Sequence, residues 1–112
     1  MKFPKFIVTK EDGKYNVICG NVELHLDLVP NGTDYVIGGG LFYIDYRNYV
    51  IYFYGKSVDF GRVPSGILKK AVADNEDAIK KQISEIPELC DAEKIPSFRL
   101  ETEYIPYFLL TR

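Results

Sequence analysis

The stretch VIGGGLFYIDYRNYVIYFYGKSVDFG, residues 36–61, limits the possible folds more than any other part of the chain. β-Branched and aromatic residues surround three consecutive glycines, Gly38, Gly39 and Gly40. Such surroundings favour a strand, whereas glycine weakens one. A sheet tolerates glycines there when another group must come close to its backbone. The pattern runs from Tyr35 through Ile44, turns at Arg47–Asn48 and returns over Tyr49–Tyr54. The returning YVIYFY is apolar on both faces, as a central strand is.

Around this hairpin the other elements fall into place. Lys5–Thr9 and Tyr15–Cys19 read as strands joined at Asp12–Gly13, a strong hairpin pair. VELHLDL (22–28) alternates strictly and predicts a further strand, with Val22, Leu24, Leu26 and Leu28 on one face and Glu23, His25 and Asp27 on the other. The PNG at 30–32 ends it. Pro64 suits a first helical turn, and Ile67, Leu68, Ala71 and Val72 recur at helical spacing. Asp74 or Asn75 caps a second helix whose stripe is Ala78, Ile79, Ile83 and Ile86, before Pro87. SFRLETEY and YFLL near the end read as late strands. The expectation is one α+β domain over residues 1–112: a mixed, mostly antiparallel sheet packed by about two helices.

Composition narrows the function. A chain of 112 residues that is 46% hydrophobic forms a packed core. Its 14 basic and 16 acidic residues leave a net charge of −2, against the basic excess that nucleic acid demands. No apolar run approaches the roughly 20 residues of a membrane span. The start, MKFPKFIVTK, lacks the apolar core of a secretory signal, so a cytoplasmic protein is expected. Cys19, Cys90 and the single histidine, His25, lack zinc-ligand spacing. Two reduced thiols and no metal or cofactor are expected.

Two familiar phosphate motifs fail. The GKS at 55–57 lacks the Walker glycine, since Val50 stands in that position. GGG is not G-x-G-x-x-G, and a strand follows it rather than a helix. YGKSVDFG (54–61) survives, as a loop between a central strand and a helix. Backbone N–H groups in such a loop can form an anion nest, to which Ser57 adds a hydroxyl and Lys56 and Arg62 positive charge. On composition alone His25 reads as a solvated histidine on a polar strand face, and Ser57 as a turn hydroxyl.

The spacing of these residues resembles the Janus/Ocnus family of small phosphohistidine phosphatases. That family carries a triple glycine, thirteen residues of hairpin, then Tyr-Gly-x-Ser-x-x-aromatic-Gly. Here Gly38–Gly40 are followed by residues 41–53 and then Tyr54, Gly55, Ser57, Phe60 and Gly61. The family's upstream Glu-x-His-x-Asp matches Glu23, His25 and Asp27. The resemblance covers roughly residues 12–72. It implies a metal-free phosphatase that cleaves the P–N bond of phosphohistidine in a protein or peptide, or of a small phosphoramidate. His25 would be the general base or phosphoryl acceptor. Ser57, Val58, Asp59, Gly61 and Lys56 would hold the phosphoryl group, with Lys14 as the nearest candidate for the family's early lysine. Gly38, Gly39, Gly40 and Gly55 would permit close approach. Two positions depart from the family: Leu41 replaces an arginine, and Asp59 replaces a small neutral residue. They keep open a second reading, a non-catalytic phosphate- or phosphoprotein-binding module on the same scaffold.

Overall fold

The Asp12–Gly13 turn folds the first third of the chain onto itself. β1 (Phe3–Glu11) and β2 (Lys14–Val22) pair antiparallel through nine rungs, from Phe3↔Val22 to Glu11↔Lys14. In the computed structural model, which describes residues 2–33, 35–89 and 92–111, a second hairpin joins β3 (Val36–Asp45) to β4 (Val50–Tyr54). Its turn is fastened by Asp45, whose carboxylate accepts from the Arg47 and Asn48 N–H groups at 3.1 Å and from the Asn48 side-chain amide at 2.9 Å. These bonds, the Asn48 side chain foremost, hold the Asp45 carboxyl below its ordinary range.

The hairpins join through an antiparallel β1–β3 ladder, from Thr9↔Val36 to Lys5↔Leu41, with a register shift beside the glycine run. β5 (Arg99–Glu101) adds parallel to β4 and completes a mixed, mostly antiparallel five-stranded sheet in the order β2-β1-β3-β4-β5. All five β4 residues are buried, as a central strand requires.

α1 (Ser65–Asp74) and α2 (Glu76–Ser84) cover one face of the sheet and make the fold α+β. Leu68, Ala71, Val72, Ile79 and Ile83 meet Phe6, Val8, Phe42, Ile51 and Phe53 in the main core. Gln82 also caps the free side of β2: its Oε1 accepts from Cys19 N–H at 2.9 Å, and its amide donates to the Val17 carbonyl at 2.9 Å. Burial pushes the Cys19 thiol well above its ordinary pKa, so it stays protonated. Cys90 lies outside the described residues. No helix among the described residues is long and apolar enough to cross a membrane.

Two predicted strands, YFLL and VELHLDL, are replaced, and a third, SFRLETEY, is shortened. YFLL is a short helix, α3 (Tyr107–Leu110), whose Leu109 packs on the other sheet face with Val50, Tyr52 and Tyr54. Only Arg99–Glu101 of SFRLETEY pairs as a strand. The larger correction concerns VELHLDL. β2 ends at Val22, and residues 25–28 form a single 3-10 turn. The predicted faces are inverted there: His25 is only 6% exposed, whereas Leu24 and Leu26 are 54% and 60% exposed. The apolar alternation loses because His25 gains a buried hydrogen bond elsewhere in the fold and the turn satisfies its own backbone. Asp27 N–H donates to the Leu24 carbonyl at 3.0 Å, and the Asp27 carboxylate accepts from Leu24 N–H at 3.1 Å.

Candidate functional site

The three glycines of β3 each accommodate a different neighbour. A Cβ on Gly38 would lie 2.9 Å from the Arg62–Val63 backbone. One on Gly40 would lie 2.3 Å from the Tyr54 carbonyl and 2.8 Å from the Phe6 ring. On Gly39, which faces the opposite side, a Cβ would meet the Phe6 carbonyl at 2.6 Å and His25 Cδ2 at 2.9 Å. The imidazole therefore lies directly over Gly39, where any side chain would displace it.

The ring's orientation is set by its hydrogen bond. His25 Nε2 is 2.8 Å from the Gly40 carbonyl, and a carbonyl only accepts, so Nε2 carries the proton. In the neutral ring Nδ1 is then bare. Nδ1 makes no hydrogen bond among the described residues, and no fully buried side-chain polar atom among them lacks a partner, so Nδ1 retains access to solvent. A buried ring with a fixed tautomer and an open basic nitrogen is suited to moving a proton.

The other side of Gly39 is bound to the loop after β4. Gly39 N–H donates to the Gly61 carbonyl at 3.0 Å. The loop closes on itself: Ser57 N–H donates to Gly61 O at 3.2 Å, and Gly61 N–H to Ser57 O at 2.8 Å. Ser57 is 2% exposed, and its Oγ accepts from Phe60 N–H at 3.1 Å, which is the work of a turn hydroxyl. The N–H groups of Ser57, Phe60 and Gly61 are thus engaged inside the loop. Those of Lys56, Val58 and Asp59 make no hydrogen bond among the described residues, and these three residues are exposed. Gly55 and Gly61 need glycine for their backbone angles, φ 78° and 79°. Gly55 is not a clearance position, since its nearest Cβ neighbour is Leu41 at 4.0 Å.

Lys14 is placed elsewhere. It opens β2 at the far end of the first hairpin, opposite Glu11. That is four rungs from the Ile7↔Ile18 rung beside Gly39, or about 13 Å at the strand rise. Lys5, rather than Lys14, lies on the His25 face of the sheet, one alternation from the Ile7↔Gly39 rung. It shares a rung with Leu41, which in turn pairs with Tyr54, on the His25 face of the sheet. Lys5 is 8% exposed, and its amine donates to the Val22 carbonyl at 2.7 Å. Burial lowers its pKa, while Asp27 and Glu23, on either side of His25, pull it back up. The available signal was alternation: in KFIVT a lysine occupies the position that shares a face with Ile7 and Thr9, both buried.

No group of three or more potential ligand residues among the described ones could hold a metal ion. Comparison with known protein families, with curated proteins and with solved structures finds no match for the chain.

Proposed function

We propose that this chain is a phosphatase of the phosphohistidine type, which hydrolyses the P–N bond of phosphohistidine in a protein or peptide without a metal. The observation that carries this reading is the buried His25 ring, held over Gly39 by Nε2–H donation to Gly40 O, while the N–H of the same Gly39 donates to Gly61 O of the 57–61 loop. Nδ1 accepts a proton from water as its oxygen bonds to phosphorus. The P–N bond breaks and its electron pair returns to the substrate imidazole, which is protonated at its other ring nitrogen and so leaves as the neutral ring; Nδ1 then returns its proton to water. The free N–H groups of Val58 and Asp59 and the ammonium of Lys5 stabilise charge on the phosphoryl oxygens. The same Nδ1 could instead take the phosphoryl group and pass it to water.

Phosphate release from a phosphohistidine peptide tests the proposal. Replacing His25 by Ala is expected to lower the rate by about 10²–10⁴-fold. Equal rates from wild type and variant would rule out the role assigned to His25. The exposed Asp59 carboxylate and the engaged Ser57 hydroxyl favour a second reading, a phosphate- or phosphoprotein-binding module. A wild-type protein that binds the peptide and releases no phosphate would favour that reading.

A further inference from the structure

The β1–β3 ladder ends at Lys5↔Leu41, and beyond that rung Phe3 and Pro4 form no β1–β3 pair. A groove of about 200 Å³ lies there, and Phe3, Pro4, Leu41, Tyr43, Tyr46 and Tyr54 are among the residues that line it, with Leu89 at its far side. No charged side chain among the described residues lines it. Phe3 and Tyr46 expose about half of their surface, 49% and 44%. The groove is continuous with the candidate site at two points. Leu41 and Tyr54 belong to the rung that contains Lys5, and the Lys5 amine lies 5.1 Å from the centroid of the Phe3 ring. A ligand reaching from His25 along β3 therefore passes Lys5 and enters an apolar trough.

We infer that this groove is a subsite for a large apolar side chain close in sequence to the phosphorylated residue, so that the substrate is an extended polypeptide segment. The inference rests on the phosphatase reading above. Leu41 is two residues from Gly39 on the same strand face, about 7 Å away, and Tyr43 is about 7 Å further on. An extended chain rises about 3.3 Å per residue, so the apolar side chain lies two to four residues from the phosphohistidine. The uncharged lining selects against a charged side chain at that position, because its desolvation would go uncompensated. Leu41 is then a specificity residue: it makes apolar the point at which the trough meets the phosphate site.

The test compares two phosphohistidine peptides of equal length, one with leucine and one with serine at the second to fourth positions on either side of the phosphorylated residue. The readout is the ratio of their kcat/KM values in one protein, which cancels any general loss of activity. Wild type is expected to prefer the leucine peptide about tenfold. Phe3→Ser is expected to bring that ratio close to one. A wild-type ratio near one, or a ratio that Phe3→Ser leaves unchanged, would overturn the subsite and leave the phosphatase reading intact. If wild type hydrolyses neither peptide, the phosphatase reading fails and the subsite fails with it.

Discussion

Two sets of glycines meet at the candidate site, and they differ in what they supply. Gly38, Gly39 and Gly40 lie in a regular strand, and each faces a group within 3 Å of where a Cβ would sit. Gly55 and Gly61 bracket the neighbouring loop and have room around them, but their φ angles near +80° are unfavourable for other residues. The first set makes space for the rest of the protein, and the second lets the chain turn. In the sequence the two sets look alike. The difference implies that the His25 position depends on backbone clearance in β3, whereas the loop depends on its own turn.

Substitution by alanine separates the two sets, and Gly40 should show the largest effect. Its Cβ would press on the Tyr54 carbonyl, a main-chain atom of the paired strand, so β3 and β4 would have to move apart. Gly40→Ala is expected to lower stability by about 3 kcal/mol, measured by urea unfolding. A loss below about 1 kcal/mol would contradict the clearance role.

Gly39→Ala should cost about 2 kcal/mol and should also dislodge the imidazole. His25→Ala removes one of the two contacts under 3 Å. The stability losses of Gly39→Ala and His25→Ala should therefore be non-additive by about 0.5–1 kcal/mol in a double-mutant cycle. Strict additivity would mean that the ring does not rest on Gly39. Gly61→Ala, whose penalty is local to the backbone, should cost about 1–2 kcal/mol and should add to His25→Ala without coupling.

The sequence made the hairpins legible because their signals are local. Asp12–Gly13 fixes the first turn, and YVIYFY marks β4 by being apolar at every position. The two helices follow from apolar stripes in adjacent segments. The site was only half legible. Glycine clearance was readable as a need, but the neighbour that fills it was not, because His25 reaches Gly40 across fifteen positions. For the same reason VELHLDL misled: its alternation describes an isolated strand, and a buried bond to a distant carbonyl outweighs it. The alternation of KFIVT signals that Lys5 shares a buried face, but not that it lies beside Leu41, because the β1–β3 pairing joins segments 36 residues apart.

Gly66 gives the smallest expected effect and a change of sign. It lies in the first turn of α1, is exposed, has an ordinary helical φ, and has nothing within 4 Å of a built Cβ. It belongs to neither set, because no neighbour needs the space and no turn needs the angle. Alanine there restricts the unfolded chain and suits the helix, so Gly66→Ala should raise stability by about 0.5 kcal/mol. The gain is modest because the position lies near the helix end. Loss of stability at Gly66 comparable to that at Gly61 would mean that alanine at any glycine harms this fold, and the distinction between clearance and turning would no longer explain the series. A small gain, beside losses at Gly40, Gly39 and Gly61, ties each loss to the specific neighbour or backbone angle found at that position.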